Sequence, residues 1–187
     1  MAYPRFVRWK RTDVLGLCLG RVIEHHDDVV LSGRELVVDP DYAVSFTLVV
    51  GTEWESESLQ AEVFDGDGTK SLPLVRAEDG GWWVGHDPIP DSAQCDDVDI
   101  ASTPLTNTPP LVRLGLAVGE SAEVPVIWVR IPELVVEVVS QRYERLPPDD
   151  GLDRYRFSFV EAGAPAHALT VDDDGMVVDY GGFATRL

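Results

Sequence analysis

Apolar and polar residues alternate with a period of two along most of this chain. In RFVRWKR, Phe6, Arg8 and Lys10 point one way while Arg5, Val7 and Trp9 point the other. Leu15, Leu17 and Leu19 alternate with Gly16, Cys18 and Gly20, and Val44, Phe46 and Leu48 with Ser45, Thr47 and Val49. Tyr155, Phe157 and Phe159 alternate with Arg156 and Ser158. Successive side chains of an extended strand leave on opposite faces, so each run predicts a strand with one buried face. Long windows with the i, i+3, i+4 spacing of an amphipathic helix are missing.

Turn chemistry separates these runs. The stretches 25–28 (His-His-Asp-Asp), Ser32-Gly33, Asp39-Pro40-Asp41, 65–68, 78–81, 147–151 and 172–175 all read as turns, the 147–151 stretch as a long hairpin loop. Their spacing predicts an antiparallel meander. No crossover helix fits between the strands, which argues against parallel βαβ units. One stretch breaks the pattern: Thr108 precedes Pro109 and Pro110. It predicts a helix over about 109–116, with Thr108 as N-cap and proline in the first turn, covering or plugging one end of the sheet.

The chain has 187 residues, 44% of them apolar and 26% charged, enough to bury a core in one domain over 1–187. No linker or internal repeat divides it. The formal net charge is -18. Such a surface repels nucleic-acid phosphates and anionic lipid headgroups, so neither nucleic acid nor constitutive attachment to a membrane surface is expected. No run of about 18 apolar residues exists to span a bilayer. The opening MAYPRFVRWKRTD has no apolar signal-like core. A cytoplasmic location is expected, with Cys18 and Cys95 reduced in apolar, strand-like settings.

Candidate chemistry is sparse. Alternation puts Asp97 and Asp99 on one face of a strand and Val98 and Ile100 on the other. The carboxylates could serve acid–base work, or could simply pair with Arg113 or Arg130. His25 and His26 are adjacent, face opposite ways in a strand and cannot share one ion. Asp172-Asp173-Asp174-Gly175 lacks the ligand alternation of a calcium loop and reads as a hairpin turn. No metal or cofactor is expected, and the G-x-S-x-G, P-loop, Rossmann and H-E-x-x-H signatures are absent. The tryptophans are the better lead. Trp82 and Trp83 must face opposite sides of a strand, so only one can enter the core. Trp128 shares a face with Arg130: either a mixed apolar and cationic surface suited to a ligand with a polar head and an oily body, or a core tryptophan beside an arginine that satisfies Asp97 or Asp99.

The segment from Cys95 to Leu134 carries Cys-x-Asp-Val-Asp-Ile, Thr-Pro-x-Thr-Asn-Thr-x-Pro, Arg-Leu-x-Leu-x-Val-Gly-Glu and Glu-Val-x-x-x-Trp-Val-Arg-x-Pro-x-Leu, in that order. In this it resembles the bacterial family of putative glycolipid-binding proteins. Weaker matches run from Arg8-Trp9 to Tyr180 and Gly182. The resemblance implies a curved, largely antiparallel sheet or open barrel, similar to LolA-type lipid carriers. It also leads us to expect an aromatic pair near the C-terminus, where 182–184 offers only Phe183.

Three functions compete. A non-enzymatic module would hold an apolar or glycolipid-like ligand in the concavity of the sheet, lined by Trp82 or Trp83 and Trp128, with Asn107, Arg113 and Arg130 on its polar groups. An enzyme for a small polar substrate would bring Asp97, Asp99 and Arg130 into one open pocket. An interaction module would offer a free sheet edge to a partner or a second copy. Ligand binding is the favoured reading.

Overall fold

A computed structural model describes residues 5–161 and 163–187. The N-terminal strands are β1 (Arg5–Arg11), β2 (Gly16–Glu24), β3 (Asp28–Val37), β4 (Tyr42–Gly51), β5 (Ser56–Asp65) and β6 (Gly68–Arg76). Three short ones follow: β7 (Trp82–Val84), β8 (Asp87–Pro88) and β9 (Asp97–Ile100). A 3-10 turn (Pro104–Asn107) then runs into helix α1 (Thr108–Leu114). The C-terminal strands are β10 (Ser121–Arg130), β11 (Val135–Asp149), β12 (Leu152–Phe159), β13 (Ala166–Val171), β14 (Val177–Tyr180) and β15 (Ala184–Arg186).

All fifteen strands form one mainly antiparallel sheet, ordered 8-7-6-5-4-3-2-1-15-14-13-12-11-10-9 and not closed. Pairing of β1 with β15 joins two wings of consecutive hairpins. The outermost strands, β8 and β9, are two and four residues long, and every residue of β9 is buried, so neither offers a long open edge.

The expected alternation holds, and the structure decides which face goes in. In β2 it is Gly16, Cys18, Gly20 and Val22 that are buried, while Leu17 and Leu19 stay about half exposed. The reason is space. The Trp9 ring lies over Gly20, and Phe46 lies over Gly33 so closely that a Cβ there would stand 2.2 Å from the ring. Small residues let large ones fill the inside of the bend.

Two apolar clusters result. The first gathers Trp9, Leu31, Leu48, Leu59, Leu74 and Trp82 from the N-terminal wing. The second gathers Leu111, Val126, Tyr143, Tyr155, Phe157, Leu169 and Val177. The β9–β10 pair stands between them. Val98, Ile100, Ile127 and Val129 face the first cluster, and Val126 and Trp128 the second. Each fully buried side chain of this size contributes about 1.5–3 kcal/mol. Indole hydrogen bonds tie the pieces together: Trp9 donates to the Val177 carbonyl and Trp82 to the Cys95 carbonyl, both at 2.9 Å.

Several sequence expectations need correction. β9 and β10 pair in parallel, Asp97 opposite Val126 through Ile100 opposite Val129, and α1 lies in their crossover. Parallel pairing therefore does occur, through a helix shorter than a usual βαβ unit allows. That helix begins at Thr108 after the 3-10 turn, with Asn107 rather than Thr108 at the cap position; the side-chain cap is Thr103, accepting from the Leu105 N–H at the start of the 3-10 turn. Ser32-Gly33 is not a turn but the middle of β3, the glycine being required by Phe46. The 147–151 stretch is no long loop: β11 continues to Asp149 and only Asp150-Gly151 turn, both with positive φ. Cys18 lies on β2, but Cys95 lies outside any strand; both are buried free thiols. Near the C-terminus Phe183 packs against Tyr180, ring centroids 4.9 Å apart.

Candidate functional site

β9 presents two carboxylates to the interior. Asp99 accepts from the Thr106 hydroxyl at 2.8 Å and from Gln141 Nε2 at 2.6 Å. The Tyr143 hydroxyl donates to Gln141 Oε1 at 3.0 Å and lies 3.4 Å from Asn107 Oδ1. Among the described residues only neutral groups hydrogen-bond Asp99, and burial holds its carboxyl above the usual carboxylate range. Asp97 differs in having a cation: Arg113 Nη2 donates to its Oδ2. Burial still outweighs that guanidinium and pushes Asp97 up to about 6. Arg113 also approaches Asp96 at 3.6 Å, and Asp96 accepts from Arg76 at 2.7 Å. Asp97 Oδ1 is buried without a hydrogen-bond partner among the described residues.

Beside Asp99 lies a pocket of about 240 Å³. Asn107 and Thr103 of the helical segment and Asp13 give it polar edges. Its apolar wall is a run of touching aromatic rings. Trp128 meets Phe159 edge-on, centroids 5.2 Å apart, and Phe159 meets Phe157 at 5.8 Å. Phe157 meets Tyr180 at 5.9 Å, and His167 meets Tyr180 at 5.4 Å. Behind this wall the Arg11 guanidinium lies 4.2 Å from the centre of the Phe183 ring. Next to the Trp128–Phe159 contact is a second, shallow hollow of about 620 Å³, edged by Val138, Val139, Ala164 and Pro165 and by Glu137 and Glu161. Trp128 and Phe159 border both spaces.

The residues singled out from sequence divide between two environments. Asp99, Asn107 and Trp128 line the inner pocket. The other five do not. Trp82 is wholly buried core, whereas Trp83 is 36% exposed on the opposite face of β7. Asp97 and Arg113 are committed to each other. Arg130 is exposed and stands 3.9 Å from Glu137. Asp97, Asp99 and Arg130 therefore do not converge in one open pocket, and the acid–base arrangement weighed for them is dropped. Among the described residues no group of three or more His, Cys, Asp or Glu side chains is placed to hold a metal ion.

Sequence reasoning missed Gln141, His167, Tyr180 and Phe183. Their strand signals were visible, but their convergence depends on β11, β13, β14 and β15 bending toward the same space.

A family model described as "Putative glycolipid-binding" matches residues 6–186. A solved structure of a DUF1089 family protein from Pseudomonas aeruginosa is similar, with 29% identity and a TM-score of 0.76. The match covers 91% of this chain and 92% of that one. No curated protein matches the chain.

Proposed function

The chain belongs to the putative glycolipid-binding family, and from that premise we propose that the aromatic-walled pocket beside Asp99 holds the sugar ring of a glycolipid-like ligand, without chemistry on it. The supporting observation is the Trp128–Phe159 contact, two aromatic rings that border both a small pocket edged by Asp99, Asn107 and Asp13 and a larger hollow with Val138, Val139, Ala164 and Pro165 along it. A ring-sized head and its attached tail would occupy the two together.

The wide concavity anticipated from sequence is not the proposed site, because side chains of the first cluster fill it. What remains beside Asp99, about 240 Å³, is less than the ~300–1,000 Å³ of pockets that enclose a drug-sized ligand. It suits one ring-sized group. Sugar rings carry hydroxyls around an apolar C–H face. That face packs on aromatic rings, while Asp99, Asn107 and Asp13 accept from the hydroxyls. The oily tail then lies in the hollow edged by Val138, Val139 and Pro165, outside the closed core.

The test is native mass spectrometry of the protein purified from its host, followed by titration with an alkyl glucoside read by tryptophan fluorescence. A bound amphiphile, or saturable glucoside binding weakened at least tenfold by Trp128→Ala, supports the reading. Protein free of ligand from the host and blind to the glucoside overturns it.

A further inference from the structure

The outward face of β1–β3 is unlike the rest of the surface. Register places its side chains in three cross-strand rows: Phe6–Arg21–Ser32, Arg8–Leu19–Arg34 and Lys10–Leu17–Leu36. Four of the nine are cations, four are apolar and none is acidic, in a chain of net charge -18. The apolar members are open to solvent: Phe6 is 70% exposed, Leu36 55%, Leu17 51% and Leu19 50%. A shallow hollow of about 740 Å³ opens among Phe6, Arg8, Leu19, Arg21 and Arg34, with Glu62 also lining it.

Pairing separates these cations from the others. Ten of the fifteen Lys and Arg side chains form ion pairs among the described residues. Arg8, Lys10, Arg21, Arg34 and Arg154 do not, and four of these five share this one face. The nearest carboxylate side chains along the same rows are Glu62, on β5, and Asp179, on β14. Each stands two strands from the closest cation, roughly 10 Å away at the usual strand spacing.

We propose that this face docks the protein on an anionic lipid bilayer. Arg8, Lys10, Arg21 and Arg34 meet lipid phosphates, while Phe6, Leu17, Leu19 and Leu36 enter between the headgroups. The overall negative charge does not forbid this. Glu62 on the hollow offsets at most one of the four cations, and carboxylates more than about 8 Å from the lipid are largely screened at physiological ionic strength, so the local positive sign of the face governs. That reverses, for this surface alone, the expectation drawn from net charge. A second copy is a poorer occupant, because a twofold contact would set eight unpaired cations against one another. The inference stands apart from the pocket reading, since no residue of the face lines the pocket.

The test is co-sedimentation of the full chain with phosphatidylcholine vesicles, with and without phosphatidylglycerol. Binding is expected only with phosphatidylglycerol and should weaken as salt rises. Arg8→Glu/Arg34→Glu should lose at least about 25-fold in partitioning, at about fivefold per cation. Arg142→Glu/Arg156→Glu changes net charge equally at exposed sites elsewhere and should lose far less. Leu17→Ser/Leu19→Ser should also weaken binding. Equal binding to both vesicle types, no binding to either, or equal loss in the two charge-reversed variants overturns the proposal. So does a concentration-dependent dimer abolished by Leu17→Ser/Leu19→Ser in a chain that ignores vesicles.

Discussion

The ring of Phe46 occupies the space that a side chain at Gly33, its cross-strand partner, would need. The two are one packing unit: an aromatic on β4 reaching across a gap in β3. Gly33→Ala should therefore overpack the core and cost about 1–3 kcal/mol. Gly66→Ala, where nothing lies within 4 Å of the added carbon, should be near neutral. Urea denaturation of both variants measures the difference.

Arg11 and Glu35 form a buried ion pair in which Arg11 also contacts Asp13 at 2.6 Å. Removing the cation strands the Glu35 carboxylate away from water. Arg11→Met should destabilise by about 3–5 kcal/mol. Arg11→Met/Glu35→Leu should recover much of that loss, because the one carboxylate left without its cation, Asp13, is partly exposed and stays hydrated. A double-mutant cycle by thermal melting checks both values.

Asp97 and Asp99 give a stability term with a definite sign. Asp97 is raised from an ordinary value near 3.8 to about 6, and burial also raises Asp99. Between those pH values the folded chain holds more protons than the unfolded one, so this contribution falls as pH rises from about 4 to about 6. Asp99→Asn keeps the outline of the side chain and removes the charge, at the cost of setting its NH2 against the Thr106 or Gln141 donor. Its stability relative to wild type should therefore be more favourable at pH 7 than near pH 4. Paired urea melts of wild type and variant at the two pH values isolate the effect from the remaining acids.

The cysteines should be inert while the chain is folded. Both are buried, and burial pushes the Cys95 thiol up to about 11 and the Cys18 thiol higher still. Ellman's reagent at pH 8 should react with neither within minutes, and with both after unfolding in guanidinium.

The strand pattern was legible in the sequence because alternation is local. It placed Asp97 and Asp99 opposite Val98 and Ile100, let only one of Trp82 and Trp83 into the core, and put a short helix at about 109–116, where one runs from Thr108 to Leu114. It misread Ser32-Gly33, since a glycine serving a neighbouring ring looks the same in sequence as a glycine serving a turn. Of the eight residues marked for a ligand, Asp99, Asn107 and Trp128 share a pocket. Trp82, Asp97 and Arg113 bear the same chemistry but are consumed by packing and pairing.

Sequence by itself determined which side chains share a face within each strand, because a period of two leaves no other choice. Only the tertiary structure decided which face is inside, as in β2, where glycine and cysteine turn inward and leucines outward because Trp9 already fills the interior. It also decided that β9 runs beside β10 in the same direction, between the two clusters. That choice depends on contacts between residues far apart in the chain, and no local pattern encodes them.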